Sequence, residues 1–155
     1  MATPAATTQQ PRTLKIRRAR RKDAEQLAGL SGQLGYPTTA TEIRTRLANL
    51  RPAGHHAAYV AELPGTGVIG WIHVSVRNLL ESDVLAEVNG LVVAEEQRNL
   101  GAGAKLLAAA EDWARRQRCK AMNVRSNVIR ERAHKFYERE GYEHYKTQKA
   151  FRKPL

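Results

Sequence analysis

The chain has 155 residues, 42% of them hydrophobic, and a formal net charge of +11. That length supports one well-packed core, and splitting it would leave each half short of buried surface. No apolar run reaches the roughly 18 residues a spanning helix needs, and MATPAATTQQP has neither a positive n-region nor an apolar h-region, so membrane insertion and secretion are not indicated and a cytoplasmic location is expected.

Residues 1–12 are small and polar with two prolines, which predicts a disordered tail ahead of a single domain over 13–155. TLKIRRA (13–19) predicts a first strand. Asp23 then falls in the first turn of a helix carrying Leu27, Leu30 and Leu34 at helical spacing, which stops at Gly35 and Pro37. Thr41 or a neighbouring threonine caps a second helix with Ile43, Leu47 and Leu50 on one face, ended by Pro52. Three strands follow, HAAYVAEL, GVIGWIHVSV and VLAEVNGLVV. A long helix from about Leu100 to Arg118 has Leu106, Leu107, Ala110, Trp113 and Ala114 as its apolar stripe. KAMNVRS predicts a strand, RERAHKFYERE a helix ended by Gly141, and YEHYKTQKAF a final strand. The order βααβββαβαβ is a mixed α/β (α+β) layer, not an alternating doubly wound sheet.

Seven basic side chains (Arg12, Lys15, Arg17, Arg18, Arg20, Arg21 and Lys22) crowd one stretch. A nucleic-acid surface would interleave aromatic residues for stacking or show a helix-turn-helix or zinc-finger pattern, and neither is present. An edge strand and helix entrance with a solvated face accounts for the cluster, and no nucleic-acid partner is expected. The lone Cys119 has no partner for a disulfide or zinc site and is expected to be a packing residue; no metal is expected.

The stretch EQRNLGAGAKLLAAAEDWA (96–114) places two glycines between a strand ending in LVV and an amphipathic helix. A helix opening on glycines presents unpaired N–H groups and the positive end of its dipole to an anion, with no side chain in the way. A P-loop needs Ser or Thr after the lysine, but Leu106 follows Lys105; a dinucleotide fingerprint needs glycine where Leu106 stands. What remains is Arg98-x-x-Gly101-x-Gly103.

That signature after an LVV strand, followed by NVRSN and then AHKFYEREGY, resembles the GNAT superfamily of acetyl-CoA-dependent N-acetyltransferases. The resemblance covers about 13–153, and its specific part is 85–142. It implies the GNAT acyl-CoA N-acyltransferase fold, in which the strand before the glycine turn splays from the next strand at a bulge and pantetheine fills the gap. It implies backbone contacts from Leu91, Val92 and Val93 to pantetheine, with the pyrophosphate on the amides of Asn99, Leu100, Gly101, Ala102, Gly103 and Ala104 and the Arg98 side chain nearby. Asn99 stands where glycine is frequent, and Asn tolerates left-handed backbone.

Acetyl transfer needs a neutral amine, a polarised carbonyl and a proton for the departing thiolate. The resemblance implies Glu87 as general base, acting directly or through water, and backbone N–H groups at a bulge near Leu91 to Val92 as the oxyanion site. It implies Tyr137 as general acid near the sulfur, and also as a coenzyme contact. A phenol of pKa about 10 donating to a thiolate of pKa about 8.5 is uphill by about 2 kcal/mol, so Tyr137 serves as a hydrogen-bond donor unless its pKa falls. Asn127 is implied as a pantetheine or backbone partner, and His134 reads as structural. The chain looks most like bacterial small-amine enzymes of the aminoalkylphosphonate or aminoglycoside type. From placement, Tyr36, Arg77, Asn78 and Arg125 line the acceptor site. Direct attack by a small primary amine is the expected route. The alternatives are a non-catalytic acyl-CoA-binding module and a protein or peptide N-acetyltransferase. A homodimer through a sheet edge is compatible with the resemblance.

Overall fold

The computed structural model describes residues 13–50 and 54–155; the expected tail and Pro52 lie outside them. The chain divides after Val124 into two compact units.

The first unit is built on β1 (Lys15–Arg18), α1 (Ala24–Leu34), α2 (Ala40–Leu50), β2 (His56–Leu63), β3 (Gly67–Arg77), β4 (Leu85–Val93), α3 (Ala102–Arg116) and β5 (Met122–Val124). Its five strands lie in the order β1-β2-β3-β4-β5. The first four are antiparallel and β5 pairs parallel to β4. Successive strand residues face opposite sides, and β3 shows both. Trp71 packs with Leu27, Leu30, Val60 and Val92 under α1, while Gly70 lies against Leu106 of α3. α3 buries Leu106, Leu107, Ala110, Trp113 and Ala114, the stripe its spacing predicts.

Local chemistry fixes both ends of the helix pair. α1 ends in a Schellman turn: Gly35 is left-handed, its N–H donates to the Gly32 carbonyl, and the Tyr36 N–H donates to the Ser31 carbonyl. α2 starts with a capping box in which the Glu42 N–H donates to Thr39 Oγ1 at 3.2 Å and the Thr39 N–H donates to the Glu42 carboxylate at 2.9 Å. The cap is therefore Thr39, a neighbour of Thr41.

The second unit holds α4 (Glu131–Arg139). The final strand expected at 142–151 does not form: residues 143–155 are exposed and belong to no helix or strand. In YEHYKTQKAF the polar side chains fall on both alternating sets, so neither face offers an apolar stripe to bury. The mixed α/β class is unaffected. α3 also starts two residues later than its composition suggests, because Asn99 and Gly101 are both left-handed, with φ of 73° and 78°.

A buried ion pair ties β1 to the entrance of α1. The Arg17 guanidinium donates from Nη1 and Nη2 to both Asp23 oxygens, at 2.8 and 2.9 Å, and from Nε to Glu62 of β2 at 2.8 Å. The Arg17 and Asp23 side chains are only 9% and 4% exposed. Burial opposes ionisation of Asp23, but Arg17 and the Arg20 N–H together hold its carboxyl below the ordinary range. Asp23→Asn strands a buried cation and is expected to cost about 3–5 kcal/mol, read as a lowered urea midpoint. Because the folded carboxyl is depressed, its contribution is complete above the unfolded value and fades as the pH falls below about 4. The wild-type midpoint should therefore drop on acidification in that window more steeply than that of the variant.

Candidate active site

The second half of β4 is paired on one side only among the described residues. β4 pairs with β3 from Leu85 to Val93, but with β5 only at Ala86, Glu87 and Val88. Beyond Val88 that side of β4 has no ladder partner among the described residues. Alternation decides which groups face the gap. The Ala94 N–H donates to the Ile69 carbonyl at 2.7 Å, and the Val92 carbonyl is directed at Gly70, so these two residues turn their polar groups to β3. Leu91 and Val93 therefore point theirs at the gap. Of the three residues expected to meet an extended ligand, Leu91 and Val93 offer backbone groups and Val92 does not.

The break in register is a bulge at Asn89, since His73 pairs with Gly90 while the next residue, Val74, pairs with Val88. The bulge thus falls before Leu91 to Val92, where it was expected. Two local features account for its place. Asn89 Nδ2 donates to Ser75 Oγ across the strands at 2.8 Å, and Gly90 accommodates the Trp71 ring, which a Cβ would meet at 2.7 Å. The Trp71 indole N–H is itself buried without a hydrogen-bond partner.

β4 runs through a short 3-10 turn, Glu95–Gln97, into Arg98, Asn99, Leu100 and Gly101. Gly101 stands at the N-cap with no side-chain cap bond, and a Cβ there would meet nothing within 4 Å. The glycine is needed for its left-handed backbone, not for space. The first ladder bond of α3 runs from the Lys105 N–H to the Gly101 carbonyl. The amides of Ala102, Gly103 and Ala104 precede it and are left to an external acceptor. Fifteen residues of helix stand behind them, anchored by a buried stripe, so a positive dipole end sits beside the gap in β4.

The sheet face under α1 changes character along the strands. Beyond Trp71, β3 presents His73, Ser75 and Arg77 on that side. The register places His56 of β2 opposite Ser75, Ser75 opposite Glu87 of β4, and Glu87 opposite Asn123 of β5. Four strands thus contribute one transverse polar row. Glu87 is buried at 4% exposure and accepts a hydrogen bond from Arg77 Nη1. His56 Nδ1 and His73 Nε2 stand 3.0 Å apart with their rings stacked. Burial, reinforced by His56, lowers the His73 pKa to about 4, so this imidazole is neutral near neutral pH.

The sequence reasoning singled out Glu87 and Arg77, which the fold brings into contact, but passed over His56, His73, Ser75 and Asn89. Polar residues at 73, 75 and 77 with apolar residues between them were the signal. Tyr36, in the turn after α1, is 71% exposed, and Asn78 is exposed just beyond β3. In the second unit Arg125 is exposed, Asn127 Oδ1 accepts from the Ile129 N–H at 3.1 Å, and His134 Nε2 lies 2.8 Å from the Asn127 carbonyl, a structural contact. Tyr137 packs edge-on to Tyr142, and burial raises its phenol, partly offset by Arg130. Cys119 is free, half-buried and raised by burial. The described residues hold no cluster of metal-ligating side chains and no helix long and apolar enough to cross a membrane.

Residues 23–142 match the acetyltransferase (GNAT) family. The aminoalkylphosphonate N-acetyltransferase of Salmonella typhimurium (strain LT2) is 34% identical over 106 residues, covering 66% of this chain and 68% of that protein. The aminoglycoside N(6')-acetyltransferase type 1 of Serratia marcescens is 29% identical over 80 residues, 49% of this chain and 55% of its own length. Among solved structures, an aminoglycoside N-acetyltransferase in complex with CoA superposes with a TM-score of 0.82 at 21% identity, covering 99% of this chain and all of the other. The likeness in fold and the match through the strand, glycine turn and helix agree: this chain belongs to the GNAT acetyltransferase family and is an acetyl-CoA-dependent N-acetyltransferase.

Proposed function

We propose that the protein moves an acetyl group from acetyl-CoA to the primary amine of a small molecule by direct attack, its two units working as one transferase domain. The family match supports this, because it runs unbroken across the division at Val124. The observation that carries the reading is the adjacency of three things in the first unit: the open side of β4, the uncapped amides of α3, and the polar row holding Glu87.

The amides of Ala102, Gly103 and Ala104, with Asn99, Leu100, Gly101 and the Arg98 side chain, would hold the diphosphate, and Leu91 and Val93 the pantetheine amides. Glu87 takes the proton of the acceptor ammonium, the neutral nitrogen attacks the thioester carbonyl, the C–S bond breaks, and the thiolate leaves with the second proton released by the amine. The bulge at Asn89 turns backbone toward the region where the oxyanion develops. The resemblance carries Tyr137 and Asn127 as further coenzyme contacts. With its phenol raised, Tyr137 holds its proton and donates a hydrogen bond to the sulfur instead of delivering the proton.

Tyr36, Arg77, Asn78 and Arg125 remain the proposed acceptor contacts, with Arg77 acting through Glu87. A net charge of +11 favours an amine that also carries an anionic group over a polycation. Isothermal calorimetry should give one acetyl-CoA site per chain, and a correctly folded protein giving no heat refutes the reading. A thiol-release screen of aminoalkylphosphonates, polyamines and aminoglycosides identifies the acceptor. Glu87→Gln should lower kcat by about 100-fold or more while coenzyme affinity holds, whereas a non-catalytic acyl-CoA binder predicts no turnover before or after the change. Gly101→Ala, forced into left-handed backbone, should cost about 1 kcal/mol of stability and weaken coenzyme binding in the same calorimetric assay.

A further inference from the structure

We propose that the His56–His73 pair is a proton outlet for the acceptor site, His56 receiving through Ser75 the proton that Glu87 removes from the amine, and His73 orienting His56 and stabilising its imidazolium. The inference rests on the transferase reading above and adds two residues that the proposed chemistry leaves unused.

Each turnover releases one proton, and Glu87 is buried, so a proton it receives has to leave through neighbouring groups. The row His56–Ser75–Glu87 offers them. Directly opposite residues have Cβ atoms about 4.5–5.5 Å apart, so the three side chains are successive cross-strand neighbours, close enough for a water between each pair to join them. The Ser75 hydroxyl can accept and donate at once; Asn89 Nδ2 fills one of its acceptor positions, which leaves a second for Glu87 and its own proton for an imidazole.

The imidazoles are arranged so that one of them takes the proton. His73 stays neutral through burial. With His73 Nε2 as acceptor for His56 Nδ1–H, the Nε2 lone pair of His56 is the one left to act as the base, and a protonated His56 keeps the same bond, now charge-assisted. The N–H bond broken on the amine is matched first by an O–H bond on Glu87, then by an N–H bond on His56, which is half-buried and next to the exposed His55. His56 then returns the proton to water. Arg77 and Glu87 are the charged groups on this face of β3 and β4; the guanidinium is engaged with the carboxylate.

The test uses the full chain with acetyl-CoA, and 2-aminoethylphosphonate or kanamycin as acceptor, in weakly buffered solution. His56→Gln should lower kcat about tenfold or more with the KM for acetyl-CoA unchanged, and added imidazole should restore the rate in proportion to its concentration. His73→Asn should give a smaller loss and shift the acidic limb of the kcat profile, where a proton acceptor has to be unprotonated to act. Glu87→Gln should not be rescued by imidazole. An unchanged kcat in His56→Gln, or a loss that imidazole leaves in place, overturns the proposal. Nitrogen NMR of histidine-labelled wild type gives an answer independent of turnover: His56 is expected as the Nδ1–H tautomer, while His73 stays neutral from pH 5 upward. An Nε2–H tautomer at His56, or a titrating His73, also overturns the relay. A wild type that releases no thiol with any acceptor refutes the transferase reading instead, and the tautomer result then stands on its own.

Discussion

The proposed chemistry depends on β4 losing one of its two ladder partners halfway along its length. Up to Val88 it is an interior strand; from Asn89 it has a ladder partner on one side only among the described residues. A sheet in water can tolerate such a gap only if something else satisfies the backbone, and a linear ligand with amides of its own is the natural substitute. The bulge sits where the pairing ends, and the extra residue makes the strand bend away there. The Asn89–Ser75 hydrogen bond and the Trp71 ring over Gly90 hold that bend in a fixed place.

Two further elements acquire their meaning from that gap. α3 is held by a fully buried stripe, so its N-terminus cannot drift, and the left-handed Gly101 aims the free amides at the same end of β4 that the gap opens. The polar row lies on the face of the sheet opposite α3. The free amides of α3 and the polar row are thus separated by the thickness of one sheet and joined at one strand. A mutation in the helix stripe and a mutation in the polar row should accordingly have separable effects, because their side chains share no contacts across the sheet.

The parts of this arrangement that were legible in the sequence were the local ones. Arg98, Gly101 and Gly103 at their spacing signal the turn because left-handed backbone and side-chain-free amides are properties of single residues. The helices came from their apolar period, and their boundaries moved where a cap or a left-handed residue intervened, at Thr39, at Asn99 and at Arg118. What escaped was everything created by pairing. The bulge position is a property of β3 and β4 together, because Asn89 and Gly90 fix it through Ser75 and Trp71 of the neighbouring strand. His56 and His73 are 17 residues apart and meet only because β2 and β3 set them diagonally. The final strand failed for the converse reason: YEHYKTQKAF has strand-like residues, but its polar groups lie on both faces and leave nothing to bury.

The cluster of cations near the start of the chain takes on a different meaning once β1 is seen at the border of the sheet. Arg17 is spent internally on Asp23 and Glu62, and Arg18 lies over the Tyr59 ring, while Lys15 remains exposed. A second copy approaching that border in the usual antiparallel manner would bring like charges face to face along a strand of only four residues. The basic stretch therefore lines the sheet border remote from the chemistry with cations, and the pairing of Arg17 with Asp23 and Glu62 takes up part of a charge whose number alone would have suggested an appetite for polyanions.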